Sequence, residues 1–235
     1  MNNIKDIRHR IERFFKQLVG LEVWSKIEVF CPYEMIGNYC VSFLDKINSD
    51  SIIYSLGVGR DISFDLDLIN KKGVIVHAFD PTPIAKNWIQ SKNLPKNFKF
   101  YPYGIANFNG SAEFHIPSNP KSTSYSLLDS GKTLGTVKYP VKRLKEVMKE
   151  LGHTKIDILK IDIEGGEYMV IEDIINSEIK VIQLLVEFHH RYKKIGLYKT
   201  KQTIKQLREN GYKIFYISPD GEEYSFIKYN EIFNK

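Results

Sequence analysis

The residues with the clearest acid–base chemistry follow two apolar segments in the second half of the chain. Asp162 and Glu164 come directly after the segment 156–161, and His189 follows the segment 179–188. An imidazole has a pKa near neutral pH, so it can accept a proton from a substrate, and a nearby carboxylate can orient its ring. We therefore expect His189 to act as a general base beside Asp162 and Glu164.

The same residues leave three points open. His189 and His190 are adjacent, and only one of them can be expected to face a site. Asp162 and Glu164 point to the same side where the chain is extended, because side chains two residues apart on a strand share a face. A histidine with two acids can also bind a metal ion, but the spacing matches no diagnostic motif, so we predict no metal here.

A second candidate site lies at a glycine turn in the first half of the chain. Gly57 and Gly59 follow the apolar segment 51–56, and Asp80 follows the segment 74–79. This order is typical of a nucleotide-binding βαβ unit, in which glycines let the backbone approach a ligand and an acid about 20 residues later binds ribose hydroxyls. The third glycine of the dinucleotide fingerprint is absent. In the alternative interpretation, Asp80 only caps the helix that follows it.

Apolar periodicity predicts the elements that must position these residues. Strands are predicted over 51–56, 74–79, 98–103, 110–116, 138–141, 156–161, 179–188, 212–218 and 223–229. Helices are predicted over 4–18, 82–91, 143–151, 167–176 and 200–210, with a further helix crossing between the first two parallel strands. Glu167 is interpreted as a favourable charge at a helix N-terminus. The pattern indicates an α/β domain whose last two strands form a hairpin around Pro219-Asp220-Gly221.

Length and composition predict one domain with additions, because 235 residues with 43% hydrophobic content can bury a full core. We divide the chain into an N-terminal helical extension, 1–50, and a main domain, 51–235. The amphipathic helix over 4–18 can cover the sheet, pair two subunits or meet an acidic surface, and we expect it to cover the sheet. The polar segment 117–136 is predicted to be a substrate-covering loop, with a disordered segment as the alternative.

The charge and cysteine content narrow the class of protein. A net charge of +6 suits an anionic partner, but the basic residues are spread out and lack the interleaved aromatics of single-strand binders, so nucleic acid is not expected. Two cysteines cannot build a disulfide framework. Without an apolar run of roughly 18 residues or a signal-peptide core, we predict a cytoplasmic protein with no membrane span. The oligomeric state stays open.

One segment carries a family resemblance. Leu159 to Glu167, LKIDIEGGE, closely resembles the hallmark segment of the FkbM family of S-adenosylmethionine-dependent O-methyltransferases. The glycine turn, the acid after the second strand and the Glu-Phe-His end of the fifth strand follow in the family's order. The resemblance covers about residues 51–218. It implies a Rossmann-like class I methyltransferase fold, with a seven-stranded, mostly parallel sheet that ends in an antiparallel hairpin.

The resemblance also implies which residues hold S-adenosylmethionine. Gly57, Gly59 and the turn after them would hold the cofactor, and Asp80 would bind its ribose. The adenine would lie against a second turn of the chain, formed by Gly104, Ile105 and Ala106. Asp162 would contribute from the neighbouring strand. The family usually carries an acid before the glycines, where this chain has Ser55, and Asp61 offers a carboxylate only later.

The expected activity is therefore O-methylation of a hydroxyl on a sugar or glycan precursor. His189 would be the base, while Asp162 and Glu164 would orient it or bind a polyhydroxylated acceptor. Two alternatives stay open: a methyltransferase that acts on nucleic acid or protein, and a non-catalytic protein that keeps the fold.

Overall fold

The computed structural model describes residues 2–119, 124–127, 133–192 and 194–233. Its helices are α1 Asn2–Leu18, α2 Ser63–Lys72, α3 Pro83–Gln90, α4 Leu144–Leu151, α5 Glu167–Asn176, α6 Gly196–Glu209 and α7 Tyr229–Phe233, with a 3-10 turn at Leu44–Lys46. Its strands are β1 Tyr33–Ile36, β2 Tyr39–Ser42, β3 Ile52–Leu56, β4 Ile75–Phe79, β5 Phe98–Tyr101, β6 Gly104–Ala106, β7 Gly110–Pro117, β8 Thr133–Arg143, β9 Ile156–Ile161, β10 Val181–Glu187, β11 Tyr212–Ile217 and β12 Glu223–Lys228.

A seven-stranded sheet forms the centre of the molecule, in the order β11-β12-β10-β9-β3-β4-β5. The strands from β10 to β5 run parallel, whereas β12 is antiparallel to both β10 and β11. The predicted mostly parallel sheet with a terminal antiparallel hairpin is confirmed. This topology brings the carboxyl ends of β3, β4 and β9 to one edge, where ligands bind in open α/β sheets.

Burial of the sheet on both faces explains why its central strands are mostly apolar. All six residues of β9 are buried, and hydrophobic clusters cover both sides of the sheet. A parallel sheet is stable only when helices cover both faces. Its central strands therefore do not show the alternation of apolar and polar residues that is typical of a sheet with one face in water. The crossover at 63–72 is helical, as its length predicts. No helix in the described ranges combines the length and apolar character needed to cross a bilayer.

A smaller sheet lies beside the central one, in the order β6-β8-β7. Gly104–Ala106, predicted to be a turn, is instead the strand β6, which pairs in parallel with β8. The strand β8 begins at Thr133, so the end of the predicted loop 117–136 is extended and hydrogen-bonded. Parts of that loop, 120–123 and 128–132, lie outside the described residues.

The first fifty residues are only partly helical. After α1, the strands β1 and β2 form an antiparallel hairpin that packs on the central sheet. The Ser42 N–H donates to the Gln183 side chain, and the Gln183 amide donates back to the Ser42 carbonyl oxygen, both at 2.8 Å. The expectation that the apolar face of α1 covers the sheet is wrong, because that face is exposed.

Candidate active site

A cavity of about 430 Å³ opens at the carboxyl ends of β3, β4 and β9. Its volume lies in the range of small-molecule sites. The wall combines the glycine turn, the end of β4, part of the small sheet and a group of carboxylates. Among the site residues predicted from sequence, the structure brings the following to this wall: Gly57, Gly59, Asp61, Asp80, Gly104, Ile105, Asp162 and Glu164.

Gly57 lets two neighbouring strand ends meet. It has φ +75°, and a Cβ there would lie 1.7 Å from the Asp162 carbonyl oxygen. No other residue type fits this place, so the glycine is required by packing as well as by backbone conformation. The Gly57 carbonyl oxygen accepts a 2.9 Å hydrogen bond from the Lys160 ammonium, which fixes the turn to β9.

Asp80 fastens the glycine turn to the start of α3. One of its carboxylate oxygens accepts from the Gly59 N–H at 2.9 Å, and the other accepts from the Thr82 N–H at 2.9 Å and its hydroxyl at 2.6 Å. Thr82, not Asp80, is the cap of α3, because its side chain accepts from Ala85. Each carboxylate oxygen has two lone pairs, so Asp80 keeps acceptor capacity toward the cavity.

Two of the other predicted cofactor residues take different positions. Asp61 reaches the wall, and it also accepts from the Ser63 N–H at 2.9 Å at the start of α2. Ala106 is buried among apolar side chains of the small sheet, and the described part of the cavity wall does not include it. Gly104 and Ile105 therefore meet the cavity, while the expectation that Ala106 contacts a ligand is not supported.

His189 is held from behind by Glu167. The Glu167 side chain is fully buried, and its Oε1 accepts from the His189 N–H at 2.9 Å and lies 3.3 Å from the ring Nδ1. The Gly165 N–H donates to the other oxygen at 2.8 Å. The interpretation of Glu167 as only a helix-end charge is thus incomplete, because this carboxylate orients the imidazole.

The other side of the His189 ring faces three carboxylates. Its Nε2 lies 3.4 Å from Glu164, 3.8 Å from Glu187 and 3.9 Å from Asp162. Asp162 and Glu164 therefore both lie near His189, as expected. The expected reason, an extended chain from 162 to 164, does not hold. Glu164 has φ +52°, a left-handed conformation that costs a non-glycine residue about 1–3 kcal/mol. Hydrogen bonds from Tyr192 to its carboxylate and from Ser126 to its carbonyl oxygen hold it there.

The carboxylates change what His189 can do. Burial alone would lower the pKa of the imidazole, but the hydrogen bond to Glu167 and the negative charges of Glu167, Glu164 and Asp162 raise it to about 10. The ring is thus an imidazolium at neutral pH and has no lone pair to accept a proton. Asp162, Glu164 and Glu187 line the cavity, and the described part of the lining does not include His189. The raised pKa of the imidazole and its place outside the described cavity lining do not support the expected role of His189 as a general base.

Glu187 is a carboxyl group that sequence reasoning left without a role. Burial, followed by the negative charge of Asp162, raises its pKa to about 8. The Tyr39 hydroxyl lies 3.4 Å from both Glu187 and Asp162, and the Lys160 ammonium lies 3.6 Å from Asp162. Glu187 and Lys160 belong to the segments that carry the family resemblance, so their positions were visible in the sequence. Tyr39 comes from the N-terminal hairpin, outside those segments.

His190 has a different environment from its neighbour. Its ring is fully buried and lies 2.6 Å from Glu22, which Arg191 also contacts at 3.0 Å. Burial would raise the pKa of Glu22, but the hydrogen bond and charge of His190, together with hydrogen bonds from the Val23 N–H and Arg191, lower it to about 2. His190 therefore ties the end of β10 to the N-terminal segment, and of the two histidines it is His189 that lies beside Asp162 and Glu164.

The same cluster has the geometry of a small cation site. Asp162, Glu164 and His189 each offer one possible ligand atom, and these three atoms lie within 4.8 Å of one another. Two positive groups already oppose the carboxylates, since Lys160 is adjacent and the His189 ring carries a proton. The absence of a metal requirement stays a prediction.

The residues of the wall fit an adenosyl ligand. Gly59 brings bare backbone to the cavity, and Asp80 has one acceptor position left for a hydroxyl group, because three of its four lone pairs accept from Gly59 and Thr82. The same cavity is lined by aromatic side chains suited to a flat base, among them Phe79 and Phe114, and Tyr125 and Leu127 line it as well. Tyr125 and Leu127 belong to the described part of the predicted substrate loop.

Comparison with known proteins places the chain among methyltransferases. Residues 49–214 match the family model described as the methyltransferase FkbM domain. The probable methyltransferase-like protein 24 of Homo sapiens is 23% identical over 80% of this chain and 48% of its own length, and that of Rattus norvegicus is 24% identical over 77% and 47%. The chain thus spans about half the length of these curated relatives. A crystal structure of methyltransferase FkbM from Methylobacillus flagellatus is similar with a TM-score of 0.47, at 12% identity over 77% of this chain and 44% of that one.

Proposed function

The chain belongs to the FkbM methyltransferase family, and we propose that it is an S-adenosylmethionine-dependent O-methyltransferase whose acceptor is a hydroxyl of a sugar or glycan precursor. One observation carries this proposal: the carboxylates of Asp162, Glu164 and Glu187 line the same cavity as the glycine turn. One part of the wall suits a nucleoside, and the other suits a polyhydroxylated acceptor.

The cofactor side of the proposal rests on residues from three strand ends. Gly57, Gly59 and Asp80 would hold the nucleoside portion, with Gly104 and Ile105 against the adenine. Asp61 and Asp162 offer negative charge at the same wall, where a cationic cofactor is stabilised. When bound, S-adenosylmethionine supplies a methyl group already activated on a sulfonium centre.

The acceptor side needs orientation and removal of one proton. Carboxylates accept hydrogen bonds from hydroxyl groups, so Asp162, Glu164 and Glu187 can orient a polyol, which supplies on the order of 7–11 kcal/mol of barrier lowering when alignment is good. We assign the base to Glu187, because a carboxylate whose pKa is about 8 binds a proton more strongly than an ordinary one. A positioned base typically contributes about 10² to 10⁴-fold.

His189 acts in this proposal as a positioning residue. Held by Glu167, its imidazolium is the shared partner of Asp162, Glu164 and Glu187 and holds these three carboxyl groups close together. Replacing it with a neutral residue leaves those carboxylates without their common counter-charge. The described part of the loop 117–136 closes one side of the cavity with Tyr125 and Leu127, which supports a role in acceptor recognition. A cytoplasmic location stays a prediction.

The test is methyl transfer from isotope-labelled S-adenosylmethionine to a panel of sugars, polyols, RNA and protein. We expect labelled sugar or polyol with the wild-type chain, a loss of about 10² to 10⁴-fold in turnover for Glu187→Gln, and no change for Glu172→Gln, an exposed control on α5. Label in RNA or protein alone would overturn the acceptor class. Cofactor binding without transfer to any acceptor would favour a non-catalytic protein.

A further inference from the structure

The helix α1 presents its apolar side to solvent. Six large apolar side chains of this helix are half or more exposed; they are Ile4, Ile7, Ile11, Phe14, Phe15 and Leu18. Five of them recur at intervals of three or four residues, which places them on one face of a helix. A surface helix normally turns such a face toward the core. Here the apolar face is turned toward solvent instead.

The polar side of α1 is the side that meets the rest of the protein. Asp6, His9, Arg13 and Gln17 are half-buried, and they also recur at three- and four-residue intervals. Arg13 donates to the Ser218 carbonyl oxygen at 3.3 Å, and Gln17 donates to the carbonyl oxygen of buried Val23 at 2.8 Å. These contacts fix the rotation of the helix, so the exposed apolar face is a property of the fold.

The exposed apolar surface continues beyond the helix. Val19, Leu21 and Trp24 are more than half exposed, and the Phe14 ring lies 6.4 Å from the Trp24 ring, centroid to centroid. We call Ile4, Ile7, Ile11, Phe14, Phe15, Leu18 and Trp24 the N-terminal apolar surface. Single exposed apolar residues are common, whereas a contiguous patch of this kind marks an interaction site.

The charge of α1 indicates which partner covers this surface. The helix contains five Lys or Arg residues against two Asp or Glu residues. Its exposed basic residues include Lys5, Arg8, Arg10 and Lys16. A second copy of the chain would bring two positively charged helices together, which is unfavourable. An anionic lipid surface accepts both features, because apolar and aromatic side chains enter the headgroup boundary while Lys and Arg meet the lipid charges.

We propose that the N-terminal apolar surface binds the surface of an anionic lipid bilayer, with α1 lying in the plane of the membrane. This binding is peripheral. It stands independently of the methyltransferase assignment, since it uses no residue of the cavity. Each Lys or Arg near an anionic surface gains about fivefold in partitioning, so several of them give a marked preference for anionic over neutral lipid.

The test is co-sedimentation of the full chain with vesicles of phosphatidylcholine, with and without phosphatidylserine. We expect strong binding to the phosphatidylserine vesicles that weakens as salt is added. The triple variant Ile7→Gln, Ile11→Gln, Phe14→Gln should lose at least about tenfold in vesicle affinity. Tyr198→Gln, which removes another exposed ring on α6, should bind like the wild type. Thermal unfolding checks that both variants are folded, as expected for exposed positions.

Three results would overturn the proposal. The first is a wild-type chain that binds neither vesicle, and the second is a triple variant that binds as well as the wild type. The third is a concentration-dependent dimer that the triple variant abolishes while vesicles have no effect, which would assign the surface to a second copy. None of these results bears on cofactor binding, so failure here is separate from failure of the proposed activity.

Discussion

Glu167→Gln is the substitution that most directly tests the electrostatics of the site. The pKa of His189 is about 10, against 6.5 for a free imidazole, and the two largest influences that raise it are the hydrogen bond and the charge of Glu167. Each pKa unit corresponds to about 1.4 kcal/mol, so the folded protein favours the imidazolium by an amount on the order of 5 kcal/mol. Glutamine keeps an acceptor for the His189 N–H but removes the charge. We expect the pKa of His189 to fall by at least about one unit.

The assay is an NMR pH titration of the chain with isotope-labelled histidine. The signals of His189 can be assigned among those of the six histidines, because His189→Gln removes them. Glu172→Gln, the exposed acid on the same helix, is the control and should leave the titration of His189 unchanged.

The sign of the effect on stability follows from the direction of the pKa change. The folded pKa of His189 lies above the unfolded value of 6.5, so its contribution is fully present below pH 6.5 and is lost as the pH rises toward about 10. Glu167→Gln should make this decline smaller, as measured by chemical denaturation across that range. A wild-type His189 that titrates near pH 6.5, or a variant whose titration matches the wild type, would refute the reasoning.

Three further predictions concern the cavity. Methyl transfer should rise with pH through an apparent pKa near 8, because Glu187 must be deprotonated to act, and a pH–rate profile of Glu187→Gln should lack that rise. Gly57→Ala should lower the free energy of unfolding by more than about 3 kcal/mol, as measured with denaturant, because its Cβ would overlap the Asp162 carbonyl oxygen. Exhaustive treatment with a chelator should leave the turnover of the wild-type chain unchanged, since the positive charges of Lys160 and the His189 imidazolium already balance the carboxylates. Loss of activity that returns with a divalent cation would contradict this prediction.

The parts of the fold and site that follow from local signals could be predicted from the sequence. The apolar segments 51–56 and 74–79 are adjacent parallel strands, β3 and β4, and the glycine turn and Asp80 meet at their ends. A short run of mostly apolar residues is the signal for such strands, because a strand buried on both faces does not alternate between apolar and polar residues. The antiparallel hairpin of β11 and β12 likewise follows from a short turn motif.

The parts that depend on long-range contacts could not be predicted. Glu167 orients a histidine 22 residues later in the chain, and Tyr39 reaches Asp162 from 123 residues away. The pKa of His189 depends on how many carboxylates the fold gathers around it, which spacing does not reveal. The prediction that the apolar face of α1 covers the sheet was wrong for the same reason. An amphipathic pattern shows which face is apolar, and only the packing of Arg13 and Gln17 shows which face is buried.

An adenosyl cofactor should bind in the cavity lined by the glycine turn and Asp80, and calorimetric titration of the full chain with S-adenosylhomocysteine measures this binding. We expect one binding site per chain, a clear loss of affinity for Asp80→Asn, and unchanged affinity for Asp50→Asn, an exposed control outside the cavity. A folded wild-type chain that binds neither S-adenosylhomocysteine nor S-adenosylmethionine would contradict the account.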